Sequence, residues 1–458
     1  MQKTPWINSV TLPKDDTVLK GAVRIEPVPV CDIDKLPVDV AVELLHAALK
    51  VPYRASDQHI GIIRQLLGPM LAHAVLHYGS EEQFIRAAMG QLNLPLDPRI
   101  TVLTGQPGVG KSALLLAIAR LIPSGEKIQV CGDLPQFPLN PIVHLPIRSN
   151  ISKAEMYDLI AGRIGLGHDY EARSEGDLRH LQLRMVQHGC CGILTDELQF
   201  VTRSSNANSQ VSVLITRLAD FGIPLTLTMN YSLVHKLKRR PPEERARVLS
   251  SPIVMLPDHG DDPGYRAYLD DLKVVMDGRL KIDPHKDSHE IASLTGGLKR
   301  PLLRLISVAY KLARRQSGKT TQEVVVQMNH LHQAYESLDF EEDRKLVEQC
   351  HRALLGLGNV GDEYTCPFDL PPHQAKQMED RANELRQRQL AKSELAAAVG
   401  KSATQARLAD EREATPSPQI RVPAAAKSNQ QSRTTTRRTP PPRVATDLIA
   451  GLNRLLKR

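Results

Sequence analysis

Apolar positions along the chain fall into two patterns, short continuous runs and residues spaced three to four apart. Continuous runs are typical of buried strands, whereas the wider spacing is typical of helices with one apolar face. The runs lie at 99–104, 142–147, 190–195, 223–230 and 253–256. Helical spacing predicts helices at 38–50, 57–78, 80–92, 112–120, 152–164, 177–188 and 209–220. This alternation indicates an α/β core with a parallel sheet flanked by helices over residues 39–256.

The pattern changes on both sides of this core. Residues 1–38 are rich in Val and Pro, and we expect an irregular N-terminal arm or a few edge strands there. Residues 257–355 have mainly helical patterning, which predicts a small α-helical lid. Residues 356–414 are more polar and are expected to form a helical extension beyond the lid.

The last part of the chain combines low complexity with a final amphipathic segment. Residues 415–443 are rich in Pro, Thr, Ser and Arg and have no apolar period, which predicts a disordered basic linker. Within 444–458 the apolar residues share one helical face: Leu448, Ile449, Leu452, Leu455 and Leu456. A short amphipathic helix on a flexible tether predicts docking to a partner. Packing back on the body and contact with a membrane surface are the alternatives.

The positive charge is concentrated in this tail. The chain has 458 residues and a formal net charge of +8. Residues 416–458 hold nine Lys or Arg and one acid, Asp447, so the tail carries 9 − 1 = +8 and the rest is formally neutral. A basic tail favours binding to nucleic acid or to an acidic protein surface.

Cysteine usage and hydropathy predict the cellular compartment. The six cysteines include no CxxC pair, so reduced and mostly structural thiols are expected. No apolar run approaches the ~20 residues that span a bilayer, and the first residues lack an apolar signal segment. We therefore expect a cytoplasmic protein that does not enter a membrane.

The strongest motif follows the first predicted strand. Residues 105–112 fit the phosphate-loop pattern GxxxxGK[ST] at every defined position, and a predicted helix follows. The loop residues are Gly105, Gln106, Pro107, Gly108, Val109, Gly110, Lys111 and Ser112. In such a loop the backbone N–H groups surround phosphate oxygens at a helix N-terminus. Lys111 is expected to bind the β- and γ-phosphates of ATP, and Ser112 to ligate Mg²⁺.

Polar residues end two further predicted strands. Asp196 and Glu197 follow the apolar run at 190–195, an arrangement typical of a Walker B motif. Asp196 is the candidate ligand of Mg²⁺, and Glu197 is the candidate base that polarises the attacking water. Asn230 ends the next run, where it either contacts the γ-phosphate and water or forms a simple Asx turn.

Two arginine-containing stretches follow in the chain. Arg245 and Arg247 precede the strand predicted at 253–256, and either is a candidate arginine finger toward a neighbouring subunit. Their spacing does not separate the two, and a solvated helix face is the alternative for each. The stretch Gly296-Gly-Leu-Lys-Arg300 then precedes an apolar helix.

Taken in order, these motifs resemble those of an AAA+ ATPase, and the body resembles the AAA+ transposition regulators of the TnsC/TniB/MuB group. The resemblance covers roughly residues 40–310. The stretches that carry it are 102–112, 192–197, 223–230 and 294–306. It implies that Asn230 is sensor 1, that Arg300 is sensor 2, and that Arg247 is the favoured arginine finger, with Arg245 as the alternative.

The resemblance also implies a mechanism and partners. ATP binding would assemble a homo-oligomeric ring or filament on double-stranded DNA without sequence preference. The assembly would mark a target and recruit a transposase, and hydrolysis would disassemble it. The basic tail and terminal helix would fit transposase docking, and a target-selection protein is a further possible partner.

Residues that contact DNA are only weakly indicated by the sequence. Lys153 and Arg203 each lie just beyond a predicted core strand and are candidates for phosphate contacts, with an ordinary surface charge as the alternative. Other AAA+ DNA remodellers, such as a helicase loader or a replication initiator, remain alternatives. A nucleotide-gated signalling or scaffold ATPase is another. A small GTPase is disfavoured because the sequence has no NKxD motif.

Overall fold

The computed structural model describes residues 4–91, 98–122, 124–130, 136–147, 151–166, 176–198, 207–317 and 324–413. Contacts divide the chain into a compact unit over residues 1–392 and a second unit over residues 393–458. The second unit is described only to residue 413, and that part is helical. The predicted linker at 415–443 and the predicted docking helix at 444–458 lie outside the described residues.

Seven strands form two sheets in the described part of the chain. The strands are β1 Ile100–Gly105, β2 Glu126–Ile128, β3 Phe137–Leu139, β4 Ile142–Pro146, β5 Gly192–Asp196, β6 Leu225–Asn230 and β7 Pro252–Met255. Five of them form a parallel sheet in the order β4-β5-β6-β1-β7, while β2 and β3 form an antiparallel pair. All five runs predicted as strands are in the parallel sheet, with ends shifted by one or two residues.

Helices cover both faces of this sheet and form the lid. They are α1 Pro5–Val10, α2 Asp16–Val23, α3 Val38–Leu49, α4 Asp57–His77, α5 Glu81–Ala88, α6 Lys111–Leu121, α7 Lys153–Arg163, α8 Gly176–Gln187, α9 Ala207–Ala219, α10 Tyr231–Lys238, α11 Pro242–Val248, α12 Pro263–Val275, α13 Pro284–Thr295, α14 Lys299–Gln316, α15 Met328–Glu336, α16 Glu341–Leu355 and α17 Pro372–Glu413. The predicted α/β core with flanking helices and a helical lid is therefore confirmed. Serine caps start several of these helices, because the Ser56, Ser80 and Ser152 hydroxyls each accept a backbone N–H of the first turn.

The prediction of an irregular arm is wrong for two segments of the N-terminal region. Residues 5–10 and 16–23 are the helices α1 and α2. Trp6 is 1% exposed and its ring stacks on Phe84 with centroids 4.0 Å apart. Leu19, on α2, is also fully buried. These short helices are stabilised by packing on the core, which the composition of the segment does not reveal.

Trp6→Leu should lower the free energy of unfolding by about 2 kcal/mol, because it removes buried ring area from this contact. Urea denaturation followed by circular dichroism measures the change. Val18→Ala is the matched control, since the Val18 side chain is 55% exposed. If Trp6→Leu lowered the free energy of unfolding no more than Val18→Ala does, the N-terminal helices would not be part of the cooperative core.

The long helix α4 packs in the core and also contacts the edge of the sheet. Its 21 residues meet the length and hydropathy criteria for crossing a membrane, which makes it the candidate span of the described residues. Its buried face nevertheless packs in the main apolar cluster, with Ile63, Leu67 and Met70 at most 1% exposed. Packing therefore accounts for its apolar character. At the start of α4, the Gln58 side chain donates to Leu256 O and accepts from Leu256 N, at 3.2 and 2.6 Å, just beyond the edge strand β7.

The lid has its own apolar cluster, built mainly from α12 to α16. Leu305 and Tyr310 on α14 lie at its centre and are fully buried. Helix α3 joins the same cluster through Leu45 and Leu49, so it packs with the lid. Residues 318–323, between α14 and α15, lie outside the described part, and α15 begins at Met328.

Candidate nucleotide site

The order of strands brings the predicted site residues to one edge of the sheet. Strand β6 lies between β1 and β5, and all three are parallel. At the carboxyl ends, Gly105 ends β1, Asp196 ends β5 and Asn230 ends β6. Ligands of open α/β sheets bind outside the carboxyl ends of the strands. The phosphate loop, the acidic pair and the polar strand end therefore face one cavity.

The phosphate loop turns sharply into α6. Gly110 is the N-cap of α6 with φ of 113°, a conformation that residues with a Cβ rarely adopt. Helix α6 then begins at Lys111, so its free N–H groups and positive dipole end point toward the loop. This arrangement fits a phosphate group, as the motif predicts.

Lys111 is almost fully buried beneath the loop. Its Nζ donates to Gly105 O at 2.8 Å and to Gln106 O at 3.1 Å, and the residue is 9% exposed. Burial lowers the pKa of Lys111 to about 7, with Asp196 opposing this effect and Arg300 adding to it. An anionic phosphate brought to this ammonium group would favour its charged form. The lysine is therefore held at the loop by two carbonyls that a phosphate can replace.

The acidic pair is organised by a threonine that the sequence analysis missed. Thr228 Oγ1 lies 2.7 Å from Asp196 Oδ1 and 3.0 Å from Thr195 O, and it can donate to either acceptor. Glu197 N donates to Asp196 Oδ1 at 2.9 Å and to Thr228 Oγ1 at 3.3 Å. Thr228 lies two residues before Asn230 and thus on the same face of β6. The position of Thr228, two residues before Asn230 on a predicted strand, was the only indication in the sequence. It is a weak one, because threonine is also common in ordinary strands.

Glu197 has an unusual backbone conformation. Its φ is 61°, in the left-handed region that few non-glycine residues occupy. Such conformations cost energy and persist where neighbouring contacts impose them. The two hydrogen bonds from Glu197 N supply such contacts, and they fix the residue that follows Asp196 in one orientation beside the cavity.

Thr228→Val should lower kcat of ATP hydrolysis about tenfold, because it leaves the buried Asp196 Oδ1 and the Glu197 N–H without the hydroxyl. It should also raise the Mg²⁺ concentration needed for half-maximal rate. Initial rates over a Mg²⁺ titration measure both. Thr226→Val, the same exchange at another buried position of β6, is the matched control. If Thr228→Val and Thr226→Val lowered kcat equally, the loss would come from a change in the strand and not from the contact with Asp196.

The cavity at this edge has a volume of about 430 Å³, and most of the predicted site residues line it. Predicted residues that line it are Pro107, Gly108, Gly110, Lys111, Ser112, Asp196, Glu197, Asn230 and Arg300. Arg300 N donates to Gly108 O at 3.1 Å, which ties the start of α14 to the phosphate loop. Neighbouring Lys299 pairs with Asp258 at 2.9 Å and lies 4.0 Å from the Tyr268 ring centroid. The lid thus closes one side of the cavity.

The remaining wall comes from the end of α3 and the segment after it. Side chains of His46, Lys50, Tyr53 and Arg54 line the cavity there. The sequence predicted a helix at 38–50 but did not identify these residues as part of the site. Burial lowers the pKa of His46, whose Nδ1 lies 3.1 Å from Ser307 Oγ. The wall is therefore partly apolar and partly basic.

Six predicted residues of the described part are not among those that line the cavity: Gly105, Gln106 and Val109 of the phosphate loop, and Lys153, Arg245 and Arg247. Arg245 and Arg247 lie on α11, where Arg245 is exposed and Arg247 is half-buried. Lys153 is the first residue of α7, with its Nζ 5.6 Å from the Tyr157 ring centroid. Arg203 lies outside the described residues. The arginine-finger and DNA-contact assignments therefore stay predictions, since each concerns a second molecule.

The donor set fits magnesium, and the cysteines serve no metal site in the described part. Ser112 and Asp196 lie on one cavity, and Mg²⁺ commonly takes one or two protein oxygens and completes its shell with phosphate and water. No group of three or more His, Cys, Asp or Glu residues suited to a metal occurs among the described residues. Cys31, Cys190, Cys191, Cys350 and Cys366 are free thiols, and Cys131 lies outside the described residues.

Comparison with known proteins agrees with this geometry. Residues 96–237 match the family model for the AAA domain. The fold is an AAA+ P-loop fold. A match to the AAA domain implies binding and hydrolysis of ATP, typically with Mg²⁺, by this part of the chain. No curated protein matches the chain in sequence.

Several solved structures are similar to the chain at low identity. The Aeropyrum pernix ORC1 protein in complex with DNA is 17% identical over 64% of this chain and 68% of that one, with a TM-score of 0.36. The Drosophila ORC bound to DNA is 13% identical over 84% and 88%, with a TM-score of 0.33. Cdc6p from Pyrobaculum aerophilum is 16% identical over 67% and 84%, with a TM-score of 0.32. At TM-scores this low, the similarities assign no function to the chain.

Proposed function

We propose that this protein is an ATP-dependent, DNA-binding AAA+ regulator of DNA transposition. ATP and Mg²⁺ would bind at the cavity described above, and the protein would oligomerise as a ring or filament on duplex DNA. The assembly would mark a target and recruit or activate a transposase, and hydrolysis would disassemble it. The observation that carries the enzymatic part is the convergence of Lys111, Asp196, Glu197, Asn230 and Arg300 on one cavity.

Each of these side chains has a role that its chemistry supports. Lys111 and the N-terminus of α6 would bind and orient the phosphates, and Ser112 with Asp196 would hold Mg²⁺, which would neutralise charge on them. Glu197 would accept a proton from the attacking water. Asn230 would orient that water, and Arg300 would bind the phosphates from the lid side. Arg247, with Arg245 as the alternative, would complete the site of a neighbouring subunit.

The DNA and transposition parts rest on the sequence. The motifs occur in the order expected of an AAA+ ATPase, and the body resembles the transposition regulators of the TnsC/TniB/MuB group. The +8 charge of residues 416–458 favours a polyanion or an acidic protein surface. The tail would dock a transposase, while sequence-independent contacts to duplex DNA would come from the ATPase body, with Lys153 and Arg203 as candidates. The protein would act in the cytoplasm, and a target-selection protein would be a further partner.

Electron microscopy of the purified full chain with duplex DNA tests the assembly. Samples would contain ATP, ADP or a slowly hydrolysed ATP analogue, with Glu197→Gln in parallel. Rings or filaments that coat DNA only with triphosphate, and persist in Glu197→Gln, are the expected result. Particles that are indifferent to nucleotide and DNA would contradict the proposal and favour a signalling or scaffold ATPase.

Truncation separates the role of the tail from that of the body. A chain that ends at residue 415 should keep ATP-dependent DNA binding and lose binding to the transposase. Filter binding at several salt concentrations measures the DNA part. Loss of DNA binding on truncation would identify the tail as a DNA-binding arm instead. Assembly on DNA that loads a helicase in place of recruiting a transposase would favour the helicase-loader alternative.

A further inference from the structure

We infer that residues 362–388 form a strap that positions the phosphate loop and the lid for ATP hydrolysis, with Arg381 as the central positioning residue. The inference rests on the proposed ATPase activity. The strap consists of the segment after α16 and the first half of the described α17. It contacts the phosphate loop, the helix that starts at Asn230, the edge strand β7 and the lid.

The first contact reaches the phosphate loop. Gln106 Nε2 donates to Tyr364 O at 3.3 Å, while Gln106 O accepts a hydrogen bond from Lys111 Nζ at 3.1 Å. One residue therefore connects the strap to the lysine that would bind phosphate. A shift of the strap would move Gln106 and with it one of the two carbonyls that hold Lys111.

The second contact lies on α10, the helix for which Asn230 is the N-cap. His235 Nε2 lies 3.0 Å from Thr365 O, and the Lys238 ammonium donates to Pro367 O. Lys238 Nζ also lies 4.6 Å from the Phe368 ring centroid, within the range of a cation–π interaction. Phe368 packs beside the buried Tyr231 in a small apolar cluster. The strap thus fixes the helix that begins at the predicted sensor residue.

The third contact joins the core to the lid. Arg381 Nη1 donates to Pro257 O at 2.8 Å, and its Nη2 donates to Gly296 O at 2.9 Å. Pro257 follows the end of β7, and Gly296 lies just before α14, which carries Lys299 and Arg300. Burial lowers the pKa of this guanidinium. One planar side chain thus bridges the two segments that connect core and lid.

The backbones at Gly297 and Asp258, where the lid meets the core, are in close contact. A Cβ added to Gly297 would lie 2.1 Å from Asp258 O and 3.0 Å from Arg381 Nη2. Asp258 N also donates to Gly297 O at 2.9 Å. Rotation of α14 relative to β7 would therefore disturb both this backbone hydrogen bond and the Arg381 bridge, because the two backbones are in contact there.

The face of α17 that carries Arg381 also contacts the lid. Glu384 and Arg388 follow Arg381 at three and seven positions, so all three share one helical face. Arg388 Nη1 donates to His289 O at 2.8 Å, and Glu384 Oε1 lies 2.8 Å from His289 Nδ1. On the core side, Gln374 Nε2 donates to Val254 O of β7 at 3.4 Å. The strap is therefore bonded to both sides of the junction that sets the position of Arg300 over the phosphate loop.

The test compares Arg381→Met with Arg386→Met in the full chain. Arg381→Met keeps the apolar stem and removes both bridging donors. Arg386→Met is the matched control, because Arg386 is exposed and donates only to Asn383 Oδ1 of the same helix among the contacts of the described residues. Two readouts are measured well below the unfolding temperature: steady-state ATP hydrolysis, and amide hydrogen exchange of residues 106–112 and 296–300 without nucleotide.

Arg381→Met should lower kcat about ten- to a hundredfold while KM for ATP changes less than about threefold, because misplacement of catalytic groups by about 1 Å has effects of that size. Exchange in both segments should be faster than in Arg386→Met. If Arg381→Met fails to fold, Arg388→Met, which removes the bond to His289 O and the pair with Glu384, should show the same changes at smaller size. If kcat and amide hydrogen exchange were the same in Arg381→Met as in Arg386→Met, the inference that the strap positions the loop and the lid would be wrong. Absence of ATP hydrolysis in the unmutated protein would refute the proposed ATPase activity, and hydrogen exchange would still decide whether the strap positions the loop.

Discussion

Replacing Lys111 by methionine should lower ATP hydrolysis about a thousandfold or more, which corresponds to about 4 kcal/mol of transition-state stabilisation. Methionine keeps most of the buried stem and removes the ammonium group that lies under the loop. Because Lys111 is 9% exposed and its ammonium group donates only to carbonyls among the described contacts, no surface charge replaces it. Phosphate release at saturating ATP measures the loss, and titration with a fluorescent ATP analogue measures binding.

A matched lysine separates this effect from a general loss of charge. Lys127→Met makes the same exchange at an exposed position of β2 and should leave the rate unchanged. The free energy of unfolding of Lys111→Met should stay within about 1 kcal/mol of the unmutated value, because burying the ammonium group already costs solvation energy. Hydrolysis within threefold of the unmutated rate would show that this loop is not the catalytic site.

Glu197→Gln should lower hydrolysis about a hundred- to ten-thousandfold and leave ATP affinity within about threefold. Glutamine keeps the size and can keep the left-handed backbone, to which the two hydrogen bonds from Glu197 N contribute. It loses the carboxylate that accepts a proton. Single-turnover hydrolysis and equilibrium nucleotide binding distinguish the two effects.

Glu243→Gln, on the exposed face of α11, is the control for loss of a carboxylate. It should hydrolyse ATP at the unmutated rate. If Glu197→Gln also did so, the water would be activated by another group, and Asp196 would be the next residue to replace. A large loss of ATP affinity would instead assign Glu197 to binding.

Features encoded in short stretches of sequence were predictable. The phosphate loop and the five core strands depend on local composition, because strands buried on both faces of a parallel sheet are almost continuously apolar. Asp196 and Asn230 were found for the same reason, since each ends such a run. That these ends meet is a property of parallel sheets in general. The order of the strands, with β6 between β1 and β5, was not predicted and came from the structure.

Features that depend on distant contacts were not predictable. Trp6 lies in a segment of irregular pattern, and its burial depends on Phe84 in another helix. Thr228 resembles any strand threonine until its distance to Asp196 is known. Arg381 belongs to a polar helical segment in which exposed arginines are the rule, and only the fold brings Pro257 and Gly296 to its guanidinium. In each case the decisive partner is far away in the sequence.

The edge of the main sheet has a consequence for how the protein behaves at high concentration. Among the described strands, β7 pairs on one side only, with β1, and an open edge of this kind favours intermolecular strand pairing and aggregation. Here the Gln58 amide engages both backbone groups of Leu256, and the Gln374 amide engages Val254 O. Two glutamine side chains therefore imitate the missing neighbouring strand. Sheets of different molecules are therefore kept from joining through β7, so any ordered polymer of this protein would have to grow through other surfaces.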